Sequence, residues 1–228
     1  MRYKAILMDA DHTLLDFNAA EDQALKKLFE RYGINAPEAM EVYKRINNAC
    51  WAAYERGEMT QEALQYVRYE RFFKELSLNL DARAVAENYN HLLSLQPDIL
   101  PHADEVVRAI HEKLPVAIVT NGLPSIQHPR LRASAIFEWI DRVVISEEIG
   151  FRKPDPEIVR AALRAMRVEN PADALFVGDS LTSDMPAARD AGVDFLWYNP
   201  SGRARPANAH ITYEVRDVRE FIPIATME

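Results

Sequence analysis

Polar residues that can do chemistry follow the apolar segments that read as buried strands. They are Asp9 and Asp11, Thr120 with Asn121 and Gly122, Lys153, and Asp179 with Asp184. The carboxyl ends of parallel strands meet at one edge of a sheet, where open α/β folds bind ligands, so these groups are expected to converge. Each pattern alone also fits a turn, a helix cap or a solvated lysine. Their succession along the chain is what predicts a functional site.

The acidic residues predict the chemistry. Asp9 and Asp11 are two positions apart, so in an extended segment both carboxylates point the same way and can address one bound group. Clustered carboxylates repel each other and repel phosphate, so such a site needs a cation. Mg²⁺ prefers oxygen ligands and keeps several waters, and Lys153 can add a positive point charge.

The segments that must position these residues alternate between strands and helices. Strands are predicted at 3–9 and then at 115–120, 142–146, 174–179, 193–198 and near 210–215. Helices are predicted between them, at 103–113, 125–134, 155–167 and 184–191. This alternation favours an α/β fold with a doubly wound parallel sheet.

Residues 17–95 differ, because they show helical periodicity and no convincing strand. We expect Asn18 and Glu21 to form a capping box, and Thr60 and Asp81 to cap later helices. The sequence therefore predicts a core of residues 1–16 and 96–228, interrupted by an all-helical cap domain at 17–95.

Composition excludes several classes of protein. The 228 residues include 27 Lys and Arg and 35 Asp and Glu, a net charge of −8 that argues against a nucleic-acid polymer as partner. No stretch of about 18 apolar residues predicts a membrane span, and the N-terminus does not resemble a signal peptide. Cys50 is the single cysteine, which excludes an intramolecular disulfide and fits a reducing compartment. We expect a cytoplasmic monomer or homodimer that acts on a small molecule.

The series of motifs resembles that of the haloacid dehalogenase-like hydrolases over essentially the whole chain. Asp9-Ala10-Asp11-His12-Thr13 is similar to the first family motif and Thr120 to the second. Lys153 matches the third motif, and Gly178-Asp179 with Asp184 the fourth. The resemblance implies a Rossmann-like core, and one family subtype carries a helical cap directly after the first motif. His12 departs from the pattern, since it stands where the family often has Gly or Glu, and His102 stands where glycine is common.

The resemblance also implies roles for these residues. Asp9 would be the nucleophile that forms an aspartyl-phosphate, and Asp11 would protonate the leaving oxygen and then deprotonate water. Thr120 would hydrogen-bond a phosphoryl oxygen, and Lys153 would neutralise negative charge. The implied cofactor is Mg²⁺, and its ligands would be the Asp9 side chain, the Asp11 backbone carbonyl and Asp179, with Asp184 close by, either as a further ligand or behind the ligands.

A finer resemblance indicates a substrate. Asn47-x-x-x-Trp51-x-x-Tyr54-x-x-Gly57-x-Met59-Thr60 and Gln127-x-x-Arg130-Leu131 are similar to segments of the noncanonical pyrimidine 5′-nucleotidases. This implies a nucleoside 5′-monophosphate as substrate. The residues predicted to bind it are Asn47, Trp51, Tyr54, Asn121 and Gly122. The aromatic pair fits a flat base but fits a helical core equally well.

Several alternatives stay open at this stage. A sugar-phosphate or phosphoglycolate phosphatase, or a sugar-phosphate mutase, would carry the same motifs. A dehalogenase would lack the second aspartate of the first motif, and a phosphonate-cleaving relative would need a Schiff-base lysine from the cap. A phosphoryl-accepting signalling domain would be about half as long and without a cap, and a retired binding protein would have lost an acid.

Overall fold

The computed structural model describes residues 1–227 of the chain. The chain divides into two compact units. The first is an α/β unit formed by Met1–Phe17 together with the chain from Pro97 onwards. The second is a helical unit formed by Asn18–Gln96.

The α/β unit is built on a six-stranded sheet of order β3-β2-β1-β4-β5-β6 in which every neighbouring pair is parallel. Strand β1 lies between β2 and β4. The strands are β1 (Ala5–Met8), β2 (Val116–Thr120), β3 (Arg142–Ile145), β4 (Ala174–Gly178), β5 (Asp194–Tyr198) and β6 (Tyr213–Val215). From β1 the chain adds β2 and β3 on one side and then β4, β5 and β6 on the other. A ligand site is expected at such a switch point, at the carboxyl ends of β1 and its neighbours.

Both faces of the sheet are covered. Ile6 and Met8 of β1 pack into one apolar cluster, and Leu7 packs into a second one on the opposite face. The first cluster includes Val106 of α5 (Ala103–His111), and the second includes Ile158 of α8 (Pro156–Ala165). Continuous burial of β1, β2 and β4 explains their uninterrupted apolar sequences.

The remaining α-helices of this unit lie between strands, except for α10, which follows β6. They are α6 (Pro124–Ala133), α7 (Ser146–Ile149), α9 (Asp184–Ala191) and α10 (Phe221–Ala225). The short α7 and α10 were not predicted from the sequence. Across residues 1–227, no helix combines the length and the apolarity that crossing a bilayer demands.

The helical unit contains α1 (Phe17–Tyr32), α2 (Ala39–Glu55), α3 (Gln61–Glu75) and α4 (Ala82–Ser94). Thr60 caps α3 by accepting from the amide of Ala63, and Asp81 caps α4 in the same way, as predicted. The capping box predicted at Asn18 is wrong, because α1 begins at Phe17 and Asn18 therefore lies inside its first turn.

The core of the helical unit is aromatic and contains a buried polar network. The rings of Tyr43 and Tyr69 lie 5.3 Å apart, and their hydroxyls share a hydrogen bond of 2.9 Å. Arg68 Nη1 donates to Asn47 Oδ1 at 2.9 Å, and Asn47 Nδ2 donates to Glu21 Oε1 at 2.9 Å. Glu21 is thus a long-range acceptor rather than the local capping acid that the sequence predicts.

Two short segments of the α/β unit flank the insertion and pair with each other. Leu15 forms an isolated antiparallel bridge with Ile99. The amide of Asp16 donates to the carbonyl of Asp98 at 3.0 Å, and the amide of Leu100 donates to Leu14 at 2.8 Å. This pairing, called the stem below, brings the two ends of the inserted segment side by side.

Candidate active site

The site begins where β1 ends. Asp9 directly follows Met8, and its amide donates to the carbonyl of Val177 on β4 at 2.9 Å, which continues the sheet by one residue. This bond fixes the direction of the Asp9 side chain, which is 10% exposed. Asp9 is therefore a carboxylate held at the centre of the sheet edge by backbone pairing.

Lys153 lies between two of the acids. Its ammonium pairs with the Asp9 carboxylate, lies 2.8 Å from Asp184 Oδ1, and donates to the carbonyl of Val119 at 3.0 Å. The side chain is 3% exposed. Burial opposes its charge, but the carboxylates of Asp184 and Asp9 outweigh that effect and raise the pKa of the ammonium. Lys153 is thus a fixed positive charge.

The side-chain amide of Asn121 makes two hydrogen bonds to the backbone of Lys153. Its Nδ2 donates to the carbonyl of Lys153 at 2.9 Å, and its Oδ1 accepts from the amide of Lys153 at 2.9 Å. The sequence predicts a substrate contact for Asn121 and for Gly122. The Gly122 amide donates to Thr120 Oγ1 at 3.1 Å, and substrate contacts by Asn121 and Gly122 stay a prediction.

Asp179 and Asp184 follow β4. The Asp179 carbonyl accepts from Trp197 Nε1 at 3.0 Å and from Arg203 Nη2 at 2.7 Å. Asp184 is the first residue of α9, and its Oδ2 accepts from the amide of Ser180 at 3.0 Å. Gly178 makes this approach possible, because a Cβ at that position would lie 2.3 Å from Asp184 Oδ2.

Asp9, Asp179 and Asp184 come together. Each offers one carboxylate oxygen, and these atoms lie within 4.8 Å of one another. Burial raises the pKa of Asp9 well above its usual range; Lys153 opposes this rise, and the other two acids add to it. Burial and the charge of Asp184 raise the pKa of Asp179 to about 6. One lysine does not balance three acids, of which Asp9 and Asp184 are buried and Asp179 is half-buried.

This arrangement suits a divalent cation. Carboxylate oxygens are the ligands that Mg²⁺ takes in proteins, and the three side chains present such atoms at close spacing. A second positive charge would favour the ionised forms of Asp9 and Asp179, whose pKa values are raised in the protein alone. The donor set therefore fits the magnesium ion that the sequence predicts.

Asp11 lies beside α6. Arg130 Nη1 donates to its Oδ1 at 2.6 Å, and Gln127 Nε2 donates to its Oδ2 at 2.9 Å. Gln127 Nε2 also donates to Thr120 Oγ1 at 3.0 Å, which links Asp11 to the end of β2. No role was predicted for Gln127 or Arg130, although both belong to a segment that resembles the nucleotidases. Their spacing of three places both on one helix face, a signal that could have grouped them but that does not specify Asp11 as their partner.

Two of the predicted departures from the family pattern occur at unusual backbone angles. His12 has φ 64° and His102 has φ 67°, in the left-handed region that glycine adopts readily. A glycine at either position therefore has a conformational reason. In this chain a histidine adopts the same conformation at both.

The predicted base-binding residues lie in the helical unit. Asn47 is 1% exposed and Tyr54 is 2% exposed. Trp51 is partly exposed, and its ring meets that of Tyr54 edge to face at 5.7 Å. The polar atoms of Asn47 are engaged by Glu21 and Arg68, as described above. A contact between these residues and a base stays a prediction.

Comparison with known proteins gives the family. Residues 3–192 match the haloacid dehalogenase-like hydrolase family. The chain is 32% identical to the HAD-hydrolase YfnB of Bacillus subtilis, over 100% of this chain and 97% of that protein. It is 32% identical to the pyrimidine 5′-nucleotidase PynA of Streptococcus pneumoniae, over 97% and 94% of the two chains. It is 29% identical to the pyrimidine 5′-nucleotidase YjjG of Escherichia coli, over 97% of each.

The fold has a close match among solved structures. The crystal structure of YfnB bound to magnesium superimposes with a TM-score of 0.94 and covers 100% of both chains. This match and the parallel sheet confirm the predicted fold, a Rossmann-like α/β core with helices around it.

Proposed function

The chain belongs to the haloacid dehalogenase-like hydrolases, and we propose that it is a magnesium-dependent phosphatase that hydrolyses nucleoside 5′-monophosphates through an aspartyl-phosphate on Asp9. The observation that carries the proposal is the convergence of Asp9, Lys153, Asp179 and Asp184 at the sheet edge. Two relatives named pyrimidine 5′-nucleotidases support the choice of substrate.

In this mechanism the carboxylate of Asp9 attacks phosphorus while the bond to the leaving oxygen breaks. Lys153 is already paired with Asp9, so it offsets the charge of the nucleophile and of the incoming phosphate. Asp11 gives a proton to the leaving oxygen and then takes one from the water that cleaves the aspartyl-phosphate. Phosphate leaves, and Asp9 is regenerated.

Thr120 is suited to hold a phosphoryl oxygen. Its Oγ1 accepts from the amide of Gly122 at 3.1 Å and from Gln127 Nε2 at 3.0 Å. A hydroxyl has two acceptor positions and one hydrogen, so these two bonds leave the hydrogen to donate. We expect that hydrogen to bind the phosphoryl group.

Mg²⁺, when held by Asp9, Asp179 and Asp184 with the Asp11 carbonyl as predicted, would supply charge that favours phosphate binding. Asp179 is prepared for such a role, because Trp197 and Arg203 hold its backbone carbonyl. Lys153 contacts two of the same carboxylates, those of Asp9 and Asp184.

The test is a panel of phosphate monoesters assayed for phosphate release with Mg²⁺ and with EDTA. We expect turnover only with the metal, and higher kcat/KM for pyrimidine nucleoside 5′-monophosphates than for hexose phosphates or phosphoglycolate. A preference for the latter substrates would replace the nucleotide assignment by the sugar-phosphate alternative and leave the phosphatase intact. Full activity in EDTA would contradict the phosphatase mechanism itself.

Trp51 gives a finer test of the substrate. If its ring stacks on the base, Trp51→Ala should lower kcat/KM for a nucleotide by about 5- to 150-fold, the usual worth of one stacked contact. Hydrolysis of p-nitrophenyl phosphate, which carries no base, should change little. An equal loss on both substrates would instead assign Trp51 to the packing of the helical unit, where it contacts Tyr54.

A further inference from the structure

Both carboxylate oxygens of Asp11 are held by α6. Arg130 donates to one at 2.6 Å and Gln127 to the other at 2.9 Å. The two donors are 0% and 1% exposed, whereas the Asp11 side chain is 25% exposed. Asp11 therefore cannot rotate without breaking one of these bonds, although its open side stays accessible. Each oxygen keeps a second lone pair, so the bonds leave room for a transferable proton.

Arg130 also fixes the orientation of the Gln127 amide. The same nitrogen that bonds to Asp11, Nη1, donates to Gln127 Oε1 at 3.0 Å. The oxygen end of the amide must face the guanidinium, so the nitrogen end faces Asp11 and Thr120. A reversed amide would set donors against donors at Arg130 and acceptors against acceptors at Asp11.

The position of Gln127 is itself constrained from the far side. A Cβ at Gly122 would lie 2.6 Å from Gln127 Cγ, so a larger residue at that position would displace the Gln127 side chain. Gly122 thus has two effects: its amide bonds to Thr120, and its lack of a side chain lets Gln127 reach Thr120 and Asp11. The whole arrangement converges on these two residues.

We infer that Arg130 and Gln127 are positioning residues of the reaction, which aim the Asp11 carboxyl at the leaving oxygen and the Thr120 hydroxyl at the phosphoryl group. The inference rests on the proposed phosphatase function. In the step concerned, an oxygen of Asp9 bonds to phosphorus, the bond from phosphorus to the leaving oxygen breaks, and that oxygen takes the proton of Asp11. Water later returns a proton to Asp11 as the bond between Asp9 and phosphorus breaks.

A packing role and a positioning role predict different substrate dependence. Phenyl phosphate and p-nitrophenyl phosphate have nearly the same shape, but phenolate is much the more basic leaving group and needs the proton more. The value of kcat/KM reports the steps up to departure of the leaving group, because that departure is the first irreversible step, and the later water step does not enter it. The ratio of kcat/KM for the two esters therefore measures proton donation by Asp11.

Arg130→Met removes the donor to Asp11 and to Gln127. Because general acid catalysis contributes about 10²- to 10⁴-fold, we expect the variant to lose at least about 5-fold more on phenyl phosphate than on p-nitrophenyl phosphate. Arg130→Lys keeps a cation and should recover part of the ratio. Gln127→Met, which is uncharged and close in length, should shift the ratio in the same direction by a smaller factor and serves if Arg130→Met does not fold.

Arg68→Met is the matched control, because Arg68 is a buried arginine of the helical unit that bonds to Asn47 rather than to Asp11. Its ester ratio should equal that of the wild type. Equal losses of kcat/KM on both esters in folded Arg130 and Gln127 variants would overturn the inference. Turnover of the esters by the wild-type protein would still support the proposed phosphatase function. A wild-type protein that hydrolysed neither ester with Mg²⁺ would overturn the proposed function and this inference together.

Discussion

Each unit of the molecule contains a buried arginine that bonds to polar side chains, and the two arginines differ in how exposed those partners are. Arg130 of the α/β unit bonds to Asp11, whose side chain keeps 25% of its surface exposed. Arg68 of the helical unit bonds to Asn47, which bonds to Glu21, and these three residues are at most 5% exposed.

The difference separates chemistry from architecture. The network of Arg130 ends on a carboxylate that a ligand can reach, so its buried part serves an accessible group. The network of Arg68 is buried and flanked by rings, with the guanidinium 5.2 Å from Tyr69 and 5.0 Å from Tyr89. Changes in the α/β site should therefore alter turnover first, and changes in the buried Arg68 network should alter stability first.

The largest expected effect is at the nucleophile. Asp9→Asn should lower turnover by at least about 10³-fold, because an amide is a poor nucleophile and loss of a nucleophile is among the costliest single changes in enzymes. Phosphate release measures the loss, and circular dichroism should show an intact fold. Asp190→Asn, at an exposed aspartate of the same unit, is the control. Residual activity above a few per cent, with deamidation excluded by mass spectrometry, would contradict the role of Asp9.

Lys153→Met should come next and should affect both properties. Removing the charge that faces Asp9 and Asp184 should lower kcat by about 10²- to 10³-fold. Breaking a buried pair also leaves the partner charges uncompensated, at a cost of about 3–5 kcal/mol of unfolding free energy. Kinetics and thermal unfolding test the two effects. Lys4→Met, at an exposed lysine, should change neither; a Lys153 variant with more than about a tenth of wild-type kcat would refute the prediction.

Arg68→Met should separate the units most clearly. The change leaves Asn47 without its donor inside an apolar surrounding, so we expect a loss of about 1–3 kcal/mol in unfolding free energy. At a temperature where the variant is folded, its rate on p-nitrophenyl phosphate should stay within about two-fold of the wild-type rate. A change this small is what a substitution away from the reacting groups should cause. A large loss of kcat without a loss of stability would show that the Arg68 network takes part in the reaction.

The smallest effect concerns pH. In EDTA the pKa of Asp179 is raised from 3.8 to about 6, so the folded state binds a proton more tightly than the unfolded chain does. Stability should therefore rise as the pH falls from about 7 towards 5, by on the order of 1–3 kcal/mol. Mg²⁺ should reduce this dependence. Thermal unfolding of Asp179→Asn in EDTA should show a weaker rise, and an unchanged rise would contradict this assignment.

The fold was predictable because its signals are local. Alternating apolar strands and amphipathic helices repeat after Pro97, and the caps at Thr60 and Asp81 need only the residues that follow them. The error at Asn18 shows the limit of local patterns. Glu21 has the type and spacing of a capping acid, but its carboxylate accepts from Asn47, 26 residues away.

The residues of the candidate site show the same difference between local and long-range signals. Asp9, Thr120 and Asp179 could be located because each lies at or next to the end of a predicted strand. The contacts of Gln127 and Arg130 with Asp11 span 116 and 119 residues. Nothing near them in sequence specifies that partner, which only the folded sheet brings alongside α6.

The stem formed by Leu15 and Ile99 has a consequence for how such proteins diversify. The segment between its two sides enters and leaves the α/β unit at adjacent points, so segments of very different length fit the same gap at little cost in closure entropy. The helical unit can therefore be replaced by another inserted segment without rebuilding the α/β unit. Replacing it leaves Asp9, Lys153 and Asp179 in their own unit, so one contiguous stretch of gene can be traded while the reaction chemistry is retained.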